Sequence, residues 1–244
     1  MSSITDVYSP RTTFRCTRLR GAKVGGSVCQ FCAVGCSQLG FFKDGKLIDV
    51  EGDPRSSVNE GRLCPKGSST YALNENPYRK VKPMYRAPGS DHWKEVSLDW
   101  MLDTVAKRIW ETRNKGFVEK DPKTGITVNN CANIGFIGGS ANDNEECYLF
   151  RKLFTGGLGI LPVENSARYC HSTTVCALSP TFGFGACTNP PRDLLNSDCI
   201  LIMGSNMAEA HPCAFYWPMQ AKKKGTVTIH VDPRYTRTSA ACDH

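Results

Sequence analysis

The sequence predicts an α/β protein, a small β-rich, metal-held module followed by part of a parallel, Rossmann-like sheet. Three observations carry this expectation. The stretch from Thr13 to Gly67 is dense in cysteine and glycine around a single plain hairpin. Further along, Ile134-Gly135-Phe136-Ile137 is an apolar run that ends in Gly138-Gly139-Ser140 and leads into a helical stretch. The same strand, glycine turn, helix pattern returns at Cys199-Ile200-Leu201-Ile202-Met203, and continuous apolar strands joined by helices belong to parallel sheets covered on both faces.

Each element has a local reason. Phe41-Phe42-Lys43 and Leu47-Ile48-Asp49-Val50 flank Asp44-Gly45, a turn pair that closes hairpins. Pro77, Pro83 and Pro88 with Gly89 mark an extended connector ending near Trp93, because proline disfavours helix both at and before its position. This divides the chain into 1–76 and 77–244. Ser97 caps a helix with Leu98, Met101, Leu102, Val105 and Ile109 on one face, and Gly116 ends it. A turn follows at Asp121 to Gly125, and the helix after Ser140 is expected from about Asn144 to Phe154. In the second unit of the pattern, Gly204-Ser205-Asn206 leads into a helix reaching about Lys224, and a strand from Val227 to Val231 ends in Asp232-Pro233-Arg234. Ligands of parallel sheets bind outside the carboxyl ends of the strands, where both of these loops fall.

Composition narrows the function classes. The chain has 244 residues, 40% hydrophobic and 22% charged, enough for a sizeable core. No apolar run approaches the roughly 20 residues a membrane helix needs. Arg11, Arg15, Arg18, Arg20 and Lys23 are not followed by an apolar segment, so neither a secretory nor a twin-arginine signal is read and the expected location is cytoplasmic. The 13 cysteines are odd in number and clustered, which favours metal binding or chemistry over a complete disulfide framework. A formal charge of +7 suits an anionic partner, but no basic stripe interleaved with aromatics points to nucleic acid. A Gly-x-Ser-x-Gly elbow, the mark of one large hydrolase class, is missing.

Cys29-x2-Cys32-x3-Cys36 followed by Cys64-Pro65-Lys66-Gly67 is the strongest chemical signal. Three thiols on a tight loop and a distant fourth before proline match a cubane that takes one thiolate per iron. Zinc also accepts four cysteines, though its structural sites usually show two Cys-x2-Cys knuckles. Lys66, by position alone, reads as a surface lysine. Cys170-His171 sets a soft ligand or nucleophile beside a group that titrates near neutrality, but without context the pair reads sooner as a buried structural cysteine next to a satisfied histidine. His211 before Pro212 is either a cap or a ligand contact. The cysteines at 16, 131, 147, 176, 187, 199, 213 and 242 show no ligand spacing.

From about Thr17 onward these residues resemble the molybdenum or tungsten bis-pterin oxidoreductases, and within them the N-terminal portion of formate dehydrogenase catalytic subunits. The Cys29–Cys36 and Leu63–Gly67 motifs are shared across several branches. Glu164-Asn165-Ser166-Ala167-Arg168-Tyr169-Cys170-His171, Pro180-Thr181-Phe182-Gly183, Met203 through Pro212 and Val231 through Thr238 are similar to formate dehydrogenases in particular. The resemblance implies that Cys29, Cys32, Cys36 and Cys64 hold a [4Fe-4S] cluster and that Lys66 lies between it and the near pterin. It implies Cys170 as the protein ligand to molybdenum or tungsten, a place often filled by selenocysteine, with the adjacent His171 as proton acceptor or electrostatic partner of substrate. Gly204, Asn206, Glu209, Asp232 and Arg234 are implied to bind a guanine dinucleotide arm of the bis-molybdopterin guanine dinucleotide cofactor. The implied reaction is reversible two-electron oxidation of formate to CO2, with electrons leaving through the cluster to an iron-sulfur partner subunit. The resembled subunit is several times longer and supplies an arginine from further downstream, so the sequence is expected to work with a remainder of the catalytic subunit. A stand-alone iron-sulfur electron carrier and a zinc-held nucleic-acid module are the alternatives.

Overall fold

The structure is a computed structural model that describes residues 18–244; Thr13, Arg11, Arg15, Cys16 and Thr17 lie outside the described residues. The chain divides into two compact units, Met1–Arg79 with Cys187–His244, and Lys80–Ala186.

The first unit opens with an antiparallel sheet of β1 (Lys23–Val28), β2 (Ser37–Lys43) and β3 (Lys46–Gly52), in the order β1-β2-β3. The predicted hairpin is β2–β3, with Phe42 opposite Leu47 and a register shift beside it. Strand β1 escapes sequence inspection because Lys-Val-Gly-Gly-Ser-Val lacks the bulky residues that mark strands. Leu19, Val24, Leu39 and Phe41 form its small core. A Cβ on Gly52 would collide with the Gly61 carbonyl, so glycine lets the 53–62 loop fold back onto the sheet. Two short helices follow, α1 (Pro65–Ser68) and α2 (Thr70–Asn74).

The second unit starts with a two-residue ladder within the proline-rich connector, β4 (Met84–Tyr85) against β5 (Lys94–Glu95). Helix α3 (Leu98–Gly116) begins where expected, with the Ser97 hydroxyl accepting from the Trp100 N–H at 3.2 Å, and ends at Gly116. Its predicted apolar face is not covered among the described residues, for Leu98, Leu102 and Val105 are each about half exposed. β6 (Phe117–Lys120) and β7 (Thr127–Cys131) pair antiparallel around the predicted Asp121–Gly125 turn. β8 (Phe136–Gly138) pairs in parallel with β9 (Val163–Asn165). Helix α4 (Asn144–Arg151), capped by Asp143 with Glu146 reaching back, passes into a π-helical segment, Lys152–Gly157. Phe136 stacks on Phe154 with centroids 4.4 Å apart, which covers one side of β8. α5 (Ser166–Cys170) and α6 (Ser172–Phe182) complete this unit.

Returning to the first unit, a 3-10 turn (Pro191–Asn196) leads to β10 (Cys199–Met203), α7 (Met207–Ala210), α8 (Pro212–Lys222), β11 (Val227–Val231) and α9 (Arg237–Ala241). β10 and β11 are parallel in register Cys199 to Val227. Ile200 and Ile202 are buried with Phe215 and Ala221 of α8, while Leu201 and Met203 are exposed. The continuous apolar run led to an expectation of two covered faces; one is covered here. Among the described residues the parallel strands form two separate pairs, β8–β9 and β10–β11.

Candidate functional site

Three thiols occupy the loop between β1 and β2, and the turn of that loop is closed by Cys29 N–H donating to Cys36 O at 2.8 Å. The fourth, Cys64, immediately precedes α1, which Pro65 starts at a position that needs no N–H donor. Two buried amides bring these distant segments together. Asn59 accepts from Ser37 N–H at 3.0 Å and donates to Ser37 O at 3.1 Å and Arg62 O at 2.9 Å. Gln38 donates to Gly67 O at 2.8 Å and Thr70 Oγ1 at 3.1 Å. Cys29, Cys32, Cys36 and Cys64 therefore line one shared void, with Cys213 of α8 as a fifth sulfur on its wall. Burial chiefly, together with Cys213 and the neighbouring thiols, pushes the Cys36 thiol up to about 12. Such a thiol keeps its proton until a metal cation displaces it.

Among the described residues no group of three or more His, Cys, Asp and Glu side chains is placed to hold a metal ion. A single zinc requires every sulfur about 2.3 Å from one point. A cubane instead takes one thiolate at each of four separate irons. Three thiols from one tight loop and a fourth from the segment before α1, around one void, are the donor set that the second group takes.

The strand-end residues form a second locus in the same unit. Gly204 sits just past β10 with φ +61°, and open space lies where a Cβ would stand. Asn206 donates to the Glu209 carboxylate and accepts from Thr238 Oγ1 at 3.1 Å. Thr238 is fully buried and also accepts from Ala208 N–H at 2.9 Å, so it sets the direction of the whole loop. His230 of β11, with a side chain 2% exposed, contacts Ser205 O through Nε2 at 3.1 Å and Ser239 Oγ through Nδ1 at 2.9 Å. A carbonyl only accepts, so Nε2 carries a proton, and in the neutral ring Nδ1 then accepts from the Ser239 hydroxyl. Asp232 accepts from the Arg234 N–H at 2.9 Å, which shapes the loop beyond β11. Lys66 is exposed and donates to Glu209 O at 3.1 Å, tying the segment after Cys64 to this loop. The structure thus groups Lys66, Gly204, Asn206, Glu209, Asp232 and Arg234 on the unit that also carries the four thiols.

Cys170 and His171 belong to the other unit. Asn165 caps α5 by accepting from Ala167 N–H at 3.0 Å and donates to Gly139 O at 3.1 Å, which fixes the start of the Cys170 helix against the glycine turn after β8. Cys170 ends α5 and is exposed. His171 stands between α5 and α6 and lines a cleft of about 440 Å³ with Arg168, Glu164, Asn165 and Cys176. Arg168 and Glu164 form an ion pair at 2.5 Å on its wall. His211 precedes α8 but makes no side-chain cap, and its Nδ1 is buried with no hydrogen-bond partner among the described residues.

Comparison with known families bears on both loci. Residues 22–76 match the molybdopterin oxidoreductase Fe4S4 domain, and residues 79–244 match the molybdopterin oxidoreductase family itself. The chain belongs to the molybdopterin oxidoreductases. An iron-sulfur domain followed by a molybdopterin oxidoreductase domain is the organisation expected from the cysteine spacing and the resemblance. Among similar members of the family, formate dehydrogenase subunit alpha of Megalodesulfovibrio gigas is 52% identical over 91% of this chain and 22% of its own length. Formate dehydrogenase 2 subunit alpha (cytochrome c-553) of Nitratidesulfovibrio vulgaris is 46% identical over 93% of this chain and 22% of its own length. The formate dehydrogenase-O major subunit of Escherichia coli is 41% identical over 89% of this chain and again 22% of its own. The chain spans about a fifth of the length of these relatives. Members of this family carry a [4Fe-4S] cluster and a molybdopterin that binds molybdenum or tungsten, and the five-sulfur void and the polar strand-end loops have the donor chemistry for both.

Sequence inspection missed Asn59, Gln38, His230 and Cys213, and noted Thr238 only as the last residue of a resembling segment. None of the four missed residues belongs to a spaced motif. Their importance lies in contacts between segments far apart in sequence.

Proposed function

We propose that this chain is the front segment of a formate dehydrogenase catalytic subunit and acts with the remainder of that subunit and an iron-sulfur electron-transfer subunit on formate and CO2. The observation that carries this reading is the gathering of Cys29, Cys32, Cys36 and Cys64 around one void, in a chain whose similar relatives are named formate dehydrogenases. The functional segments follow the cofactors: 1–76 for the cluster and 77–244 for the pterin, a division supported by the bounds of the two family matches. The β10–β11 pair is then the beginning of a Rossmann-like nucleotide-binding sheet.

When bound, the bis-molybdopterin guanine dinucleotide centre with molybdenum or tungsten supplies a two-electron acceptor, and the [4Fe-4S] cluster supplies a one-electron exit. The protein's own groups do the rest. Cys29, Cys32, Cys36 and Cys64 hold the irons as thiolates. Gly204 lets a polar cofactor approach the β10 backbone closely, while Asn206, Glu209, Asp232 and Arg234 offer donors and acceptors for the guanine dinucleotide arm. Lys66 places a positive charge beside the cluster segment, where it favours the electron-rich state. Cys170 provides the sulfur ligand to the metal. Formate oxidation releases one proton, and His171, lining the cleft next to Cys170, receives it at a ring nitrogen. The Arg168–Glu164 pair sets the charge of that cleft.

Formate-dependent dye reduction by the full-length protein tests the proposal. Wild type is expected to turn over, and Cys170→Ala to lose turnover while keeping the visible absorbance of the cluster. Cluster absorbance with no pterin and no formate turnover in the wild type would make the chain an electron carrier instead.

A further inference from the structure

We propose that Asn165 is a positioning residue for Cys170, its side-chain amide fixing where the sulfur at the end of α5 stands by tying the start of that helix to the backbone of Gly139. The inference rests on the reading of Cys170 as the metal ligand and deepens it, since an exposed sulfur takes its position from the helix that carries it.

Helix α5 has five residues, none of them buried. A helix this short is not stable through its own backbone bonds, so what grips its ends sets its direction. Asn165 is the last residue of β9, in register with Gly138 of β8, and one amide serves both the sheet and the helix. Its Oδ1 accepts from the Ala167 N–H at 3.0 Å and so caps α5. Its Nδ2 donates to Gly139 O at 3.1 Å.

Gly139 is held from its other side as well. Its N–H donates to Asn142 Oδ1 at 2.9 Å, and the Asn142 amide donates to Glu146 Oε2 at 3.1 Å, the oxygen that also accepts from the Asp143 N–H at the start of α4. A Cβ on Gly139 would lie 2.8 Å from Asn142 Oδ1, so this grip requires glycine. The turn after β8 is thus fixed to α4 on one side, and the Asn165 amide is its joint to α5 on the other. Asparagine carries both the acceptor and the donor this joint uses. Serine supplies the cap but is too short to reach Gly139 O, and aspartate keeps the cap but turns an acceptor toward that carbonyl. Loss of a group that orients a metal ligand typically costs roughly 10- to 100-fold in metal affinity or activity.

The test is EPR of the pentavalent molybdenum or tungsten state in the full-length protein, with metal, iron and pterin content and formate kinetics determined on the same samples. Asn165→Ser and Asn165→Asp are expected to keep their iron and to shift the metal signal away from that of wild type. Both should lose about tenfold in kcat while KM for formate stays within about twofold. An unchanged metal signal in a fully loaded serine variant overturns the proposal, whatever its kcat. If serine alone loses the heavy metal, the aspartate variant decides, a shifted signal supporting the proposal and a wild-type signal overturning it. Loss of heavy metal from both variants supports the proposal where the pterin is retained, because the ligand no longer meets the metal. Where the pterin goes too, Asn165 is a strut of the whole site and the proposal is overturned. Wild-type protein without heavy metal and pterin would instead sink the reading of Cys170 itself.

Discussion

Asn59 grips both backbone groups of Ser37. Its Oδ1 accepts from the Ser37 N–H at 3.0 Å, and its Nδ2 donates to the Ser37 carbonyl at 3.1 Å. Ser37 directly follows Cys36, and Asn59 stands five residues before Cys64, so one side chain fixes the spacing between two thiols that the chain separates by 28 positions.

Replacing this amide should therefore damage the cluster as well as the fold. Asn59→Ala leaves buried backbone groups unpaired, a change worth about 2–3 kcal/mol. The expected result is a clearly lower melting temperature and faster loss of iron to a chelator. Asn59→Asp keeps the acceptor for Ser37 N–H and loses the donor, so it should fall between. Iron retention equal to wild type in the alanine variant would show that the 53–62 loop does not position Cys64.

The two thiol assignments predict separable losses. Cys64→Ala should lose most of the cluster's iron and visible absorbance. Cys170→Ala should leave both unchanged and abolish formate turnover. Iron analysis and dye reduction on the same two variants check this, and Cys170→Ala with wild-type turnover would remove Cys170 as metal ligand.

His230 predicts a milder, local effect. It spans from Ser239 to the Ser205 carbonyl and so ties the loop after β10 to the helix after β11. His230→Phe fills the space but breaks both contacts, which costs about 2 kcal/mol. The expected outcome is a folded protein that releases guanine nucleotide after acid hydrolysis in several-fold lower yield, with iron content unaffected. Equal nucleotide yield would show that the loop keeps its shape without His230.

Stability at low pH should depend on Asp243. Its carboxyl is held below the ordinary aspartate value near 3.8, first by Lys222 at 2.8 Å and then by the Thr228 N–H and hydroxyl. A depressed carboxylate contributes stability that is fully present above its unfolded value and is lost as pH falls through its folded one. Asp243→Asn should thus melt below wild type at pH 7, and the gap should narrow below about pH 4. A gap independent of pH would show that Lys222 is not what Asp243 holds.

Much of the fold was legible because its signals are local. Asp44-Gly45 turns a hairpin wherever it sits between apolar runs, and Ser97 and Gly116 delimit α3 by capping and termination alone. Cys199–Met203 and Val227–Val231 occur at the expected residues because they are dense in apolar and β-branched side chains. β1 stayed hidden, since its glycines carry no pattern and only pairing with β2 makes it a strand. The helix expected from Asn144 to Phe154 changes to π-helical winding at Lys152, where wider turns bring Phe154 onto Phe136. At the thiol loop, spacing singled out Cys29, Cys32, Cys36 and Cys64, which line one void, whereas the amides that bring their segments together carry no such signal. Gln38 looks like an ordinary strand residue until its amide meets Gly67.

Elemental and pterin analysis of one purified full-length sample tests the central claim most directly. About four irons with matching sulfide, one molybdenum or tungsten and two guanine-bearing pterins per chain are expected from a four-thiol cubane with a bis-pterin centre. A sample holding a single zinc, with neither heavier metal nor pterin, would contradict it.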